Sequence, residues 1–222
     1  MTEDDTCVAR IAELEADNRR LRRLLDQRDA PGELRHRLRN TVALLRAVIR
    51  TSGQTARTLE SYIGHIEDRL DALARAQAAA DDHGVVEIHT LLADEFLHYS
   101  LSEGDRVALS GPDVELQPRA GQVFALAAHE LAVNAVEHGA LGTSTGRIEI
   151  GWSIATHDGG PVLTLIWQEH DVTSISAPTH QGFGMEVLTR MLPYNLNAEA
   201  KLVFEPRGLC CTIRLPLAER IS

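Results

Sequence analysis

Apolar positions recur along the chain with three successive patterns. Ile11, Leu14, Asn18, Leu21 and Leu25 fall at alternating steps of three and four, the seam of a short coiled coil whose other positions are mostly charged. A polar residue on such a seam selects register and two-strandedness, so Asn18 predicts a parallel pair; the alternative is an amphipathic helix packed on its own chain. Pro31 and Gly32 interrupt the pattern. Beyond them Leu34, Leu38, Val42, Leu45, Val48 and Ile49 share one face at about 100° per residue, predicting a helix that starts near Glu33. Thr51-Ser52-Gly53 breaks it. Leu59, Ile63, Ile66, Leu70 and Leu73 then make a second stripe running to Ala80. Two such helices form a hairpin that buries too little surface alone, so pairing with a second copy into a four-helix bundle is expected.

From His83 onward the period changes. Helices are predicted over Thr90–Ser100, Ala120–His138 and Met185–Leu192, and strands over Val107–Leu116, Arg147–Ile154, Pro161–Trp167, Lys201–Glu205 and Leu209–Leu217. His157-Asp158-Gly159-Gly160 and Pro206-Arg207-Gly208 read as hairpin turns. The resulting fold class is α+β. A coiled coil at 1–32 and a helical hairpin at 33–83 precede a segment of mixed helix and strand at 84–222.

Charge and cysteines then narrow the function. A formal net charge of -10 over 222 residues offers no positive field to a phosphate backbone, which argues against nucleic acid as the main partner. Cys7, Cys210 and Cys211 have neither disulfide-framework nor metal-type spacing, and His83, His89, His98 and His65 add no zinc pattern. No stretch near Met1 reads as a signal peptide, and no apolar run reaches membrane-spanning length. A cytoplasmic setting is expected.

Three stretches carry candidate chemistry. In ELRHRLRN, His36 lies roughly opposite the apolar stripe, and Glu33 and Asn40 lie three and four residues away on the same surface. An imidazole there can act as a nucleophile if one neighbour fixes its tautomer, although a lone surface histidine identifies no function. In AAHELAVNAVEHGAL, Glu130 and Asn134 share a helix face, a carboxylate and an amide suited to magnesium or equally to a solvated stripe. In QGFGMEVL, Gly182 and Gly184 flank Phe183 at a helix start where backbone amides can approach phosphate, or simply make a tight turn.

Taken in order, these stretches resemble the HWE subfamily of sensor histidine kinases, whose name-giving histidine, tryptophan and glutamate match His129, Trp167 and Glu169. The similarity is co-linear from Glu33 to LCCTIRLPL and includes RLDALARA and GRIEIGW. It implies a dimerisation and phosphotransfer hairpin followed by a Bergerat-type ATP-binding domain. By that resemblance His36 takes the γ-phosphoryl group of ATP and passes it to an aspartate of a response regulator. Asn134 would hold Mg²⁺ with help from Glu130, and Gly182, Phe183 and Gly184 would frame the phosphate lid. Glu169 would face adenine, Trp167 would pack at a strand end, and His129 would touch nucleotide or support the Glu130 face. One departure stands out: after Glu169 the family's glycines are replaced by His170-Asp171-Val172-Thr173, which predicts weaker backbone approach to nucleotide.

Three functions compete on these residues. The first is a homodimeric histidine kinase, receiving its signal from an upstream partner through the N-terminal coiled coil. The second is a histidine phosphotransferase with a degenerate ATP site. The third, a serine-directed kinase on the same ATP fold, would not need the ELRHRLRN hairpin.

Overall fold

The computed structural model describes residues 41–50, 58–101, 103–157, 159–172 and 182–217, with Gly32, Arg39 and Ser52 as single positions. The coiled coil expected at 1–32 and the residues Glu33, His36 and Asn40 lie outside the described residues. The chain divides into two compact units, Met1–Val48 and Ile49–Ser222. In the first, residues 41–48 are helical, as their period predicts; this helix, α1, covers residues 41–50.

The second unit opens with α2 (Leu59–His83), which follows the second apolar stripe. Its face of Ala72, Leu73, Ala76 and Ala80 is buried, and small alanines let α2 lie close against α4 (Pro118–Glu137). Between them come β1 (Val86–Glu87), α3 (Ile88–His98), β2 (Val107–Ser110) and β3 (Glu115–Leu116). The single strand expected over Val107–Leu116 is two. Pro112, which has no N–H to give a ladder, interrupts it, and its carbonyl instead accepts from the Trp152 indole at 2.7 Å. The second piece, β3, pairs antiparallel with β1.

The main sheet has the order β2-β4-β5-β7-β6, with β4 (Arg147–His157), β5 (Gly160–His170), β6 (Glu199–Glu205) and β7 (Gly208–Pro216). Only β2 and β4 run parallel; the other neighbours are antiparallel. Alternation sorts the side chains. Ile148, Ile150, Leu163, Leu165, Trp167, Cys211, Ile213 and Leu215 turn inward and are buried, while Glu149, Ser153, Ile166 and Arg214 are exposed. Each large side chain so buried contributes about 1.5–3 kcal/mol. Phe96 of α3 stacks on Trp167 of β5 at 5.6 Å, tying the helical layer to the sheet.

The helix expected over Met185–Leu192 is built in three parts: α5 (Phe183–Glu186), a π-helical turn (Val187–Met191) and α6 (Leu192–Leu196). Pro193 cannot donate to the preceding turn, which accounts for the change of winding just before it. Among the described residues no helix is long and apolar enough to cross a membrane.

Candidate nucleotide site

Helix α4 is buried along most of its length, so the few polar groups it carries must be satisfied within the protein. Glu130 is 4% exposed and meets Arg69 of α2 through a two-pronged ion pair, Nε to Oε1 at 2.7 Å and Nη2 to Oε2 at 3.1 Å. Arg69 also donates from Nη1 to Ser52 Oγ at 2.9 Å, and its guanidinium lies over the Phe183 ring at 4.0 Å. One turn on from Glu130, Asn134 is half-buried. Gly184 comes down on this pair so closely that a Cβ there would sit 3.1 Å from Asn134 Nδ2 and 3.3 Å from Glu130 Oε2. A larger residue there would press on both side chains by a few tenths of an ångström.

A second polar pocket lies at the C-terminal end of α4. Glu169 of β5 is 2% exposed, and its Oε2 accepts the Ala140 amide at 3.0 Å. Gly139 closes the pocket, since a Cβ on it would fall 2.3 Å from the same oxygen. Burial raises the Glu169 carboxyl, and the Ala140 amide and the nearby Trp167 indole only partly offset this. The indole N–H has no well-formed hydrogen bond among the described residues, although Trp167 is fully buried. A buried carboxylate with one well-formed donor, the Ala140 amide, can still accept from a planar base that carries an amine, as adenine does.

His129 faces elsewhere. It is buried, and its Nδ1 lies 2.7 Å from Oε1 of Glu95 on α3, whose Oε2 accepts from Arg75 at 2.6 Å. Burial alone would raise the Glu95 carboxyl, but the hydrogen bond and charge of His129, with Arg75, hold it below the ordinary carboxylate value.

The model of the family described as HWE histidine kinase matches residues 33–113. A blue-light-activated histidine kinase from Erythrobacter litoralis is 34% identical over 198 residues, covering 86% of this chain and 54% of that protein. A second, from Rhizobium johnstonii, is 30% identical over 217 residues, covering 97% of this chain and 58% of that one. Over residues 33–113 the chain is thus similar to HWE histidine kinases. It spans little more than half the length of these two relatives. In structure it resembles the histidine kinase domain of an Erythrobacter litoralis blue-light activated kinase, with a TM-score of 0.54 at 18% identity over 82% of this chain and 95% of that domain. At that identity the likeness speaks for the fold.

Glu130, Asn134, Phe183 and Gly184 come together, and Trp167 and Glu169 lie side by side on β5. His129 is held by Glu95 and takes no part in Glu130's contact with Arg69. Gly182 caps α5. The departure after Glu169 has a structural answer: Asp171 adopts a left-handed backbone, φ 59°, which aspartate tolerates where glycine is usual. Its carboxylate pairs with Arg147 and with Arg207, the latter at 3.2 Å, fixing the exit from β5. Arg69, Glu95 and Gly139 escape a reading of the sequence. The available signal for Arg69 is its place in RLDALARA, a charge directly beside the apolar stripe of Ile66, Leu70 and Leu73.

Proposed function

We propose that the chain is an ATP-dependent protein-histidine kinase that phosphorylates His36 and passes the phosphoryl group to a receiver-domain aspartate of a response regulator. The observation that carries this reading is the convergence of Gly184 on Asn134 and Glu130 in the last two turns of α4, with the Glu169 carboxylate just beyond the C-terminal end of the same helix. The two pockets suit the phosphate and base ends of one nucleotide. Bound ATP with Mg²⁺ supplies the phosphoryl group and neutralises its charge.

Each residue then has a role. Glu169 accepts a hydrogen bond from the base, and Gly139 keeps room for it. Asn134 offers the amide oxygen that a hard cation accepts, while Glu130, engaged by Arg69, orders the metal's surroundings. Gly182, Phe183 and Gly184 bring backbone amides to the phosphates. His36 supplies the nucleophilic nitrogen, with Glu33 or Asn40 setting its tautomer. The transfer relies on positioning and charge neutralisation. The same proposal divides the chain into a signalling coiled coil at 1–32, a phosphotransfer hairpin at 33–83 and a catalytic domain at 84–222, working as a homodimer in the cytoplasm.

Asn134→Ala tests the magnesium assignment: ATP-dependent labelling should vanish while acceptance of phosphate from a phosphorylated regulator persists. Persistence of both would remove the assignment. The phosphotransferase alternative is disfavoured by the match to histidine kinases.

A further inference from the structure

Arg69 opens RLDALARA but has no role of its own in the kinase reading, yet it makes the most connected side-chain contact of the site. It is 6% exposed. Its three nitrogens reach Glu130 twice and Ser52 once, and its flat face covers Phe183 of the lid helix. These partners come from the end of the first hairpin segment, from α4 and from α5. A guanidinium suits this place because its planar fork can engage a carboxylate with both prongs while stacking on a ring, which a lysine ammonium cannot do.

The geometry points to Arg69 as the positioning residue for Glu130 and Phe183, through which α2 aligns the phosphate end of the nucleotide site for transfer to His36. The inference rests on the kinase reading and adds to it a residue whose described contacts are with protein groups. Two features of the contact support a positioning role. Both oxygens of Glu130 are held, which leaves the carboxylate one orientation beside Asn134. The ring of Phe183 packs against the same group, so the start of α5 and the carboxylate share one anchor. A buried carboxylate deprived of its paired cation is uncompensated, whereas removing both partners leaves no charge to compensate.

That asymmetry sets the test. Full-length Arg69→Met, Arg69→Lys, Glu130→Gln and the double variant Arg69→Met/Glu130→Gln are compared for initial rate of ATP-dependent labelling, affinity for a fluorescent ATP analogue, and melting temperature without nucleotide. Arg69→Met should label at least tenfold more slowly and melt lower than the parent. Arg69→Lys should fall between, because charge remains and the fork is lost. In the Glu130→Gln background, Arg69→Met should change the rate by less than twofold, and the double variant should melt above Arg69→Met. Should Arg69→Met fail to fold, Arg69→Lys carries the test, and labelling by it as fast as by the parent overturns the inference. The inference is overturned alone if the parent labels but Arg69→Met slows labelling by the same factor in both backgrounds, or if it labels as fast as the parent or faster. A parent that takes no label overturns the kinase reading and the inference with it, a result distinct from the first.

Discussion

Glu95 and Glu169 are both nearly sealed from solvent, at 4% and 2% exposure, and burial pushes both carboxyls upward. They end on opposite sides of the ordinary value. Glu95 meets His129 and Arg75 and is held low; Glu169 meets one backbone amide and an indole, and stays raised. The difference separates two uses of a buried acid. One whose charge the protein itself answers serves the fold, tying α3 to α4 and α2. One left short of donors is available to a ligand that brings them. Two letters of the HWE name thus sit in different kinds of pocket: the histidine in a closed internal network, the glutamate in an unfinished one.

The most direct way to break this contrast is to make the same substitution at both acids. Glu95→Gln should destabilise the fold by about 3 kcal/mol, the scale for removing one partner of a buried ion pair, with ATP affinity held in the fraction that stays folded. Glu169→Gln should leave the melting temperature near the parent's and weaken ATP binding at least tenfold. The pH dependences should also oppose each other. Glu95 has a lowered folded value, so its contribution is present above the ordinary 4.5 and is lost as pH falls through the lowered value. Glu169 has a raised folded value, so its contribution is present below 4.5 and is lost as pH rises through the raised value. Denaturant titrations of parent and variants from acid to neutral pH would show equal slopes if the two sites were alike.

A smaller effect sharpens the glutamate side. Gly139→Ala places a methyl group on the Glu169 carboxylate, and overpacking there should cost about 1–3 kcal/mol of stability and displace the oxygen from the base. Calorimetry with an ATP analogue and a melting curve measure both; unchanged affinity would mean that this oxygen does not face the nucleotide. The smallest change lies outside both pockets. Tyr194 of α6 is 88% exposed, and Tyr194→Ser should alter stability by less than about 0.5 kcal/mol and leave nucleotide affinity unaltered.

Much of the frame was legible in the pattern of the chain. The long stripes of α2 and α4 and the alternation of β4, β5 and β7 are signals carried by many residues at once, so single exceptions do not erase them. The split at Pro112 and the π turn before Pro193 were not legible, because each depends on one proline within an otherwise regular run. Among site residues, the clustering of Asn134 with Gly184 followed from motif order. The pairing of Glu130 with Arg69, 61 positions earlier, did not, since no local spacing brings α2 to α4. The orientation of His129 was equally hidden: adjacent to Glu130 in sequence, it turns to a carboxylate on another helix.

The central claim is that the two pockets on α4 serve phosphorylation of His36. Purified protein would be incubated with Mg²⁺ and γ-labelled ATP beside its His36→Gln variant, and any label exposed to acid and to alkali. The account predicts label that survives alkali, is lost in acid and is absent from the variant. Label that survives acid, or that persists without His36, would contradict it.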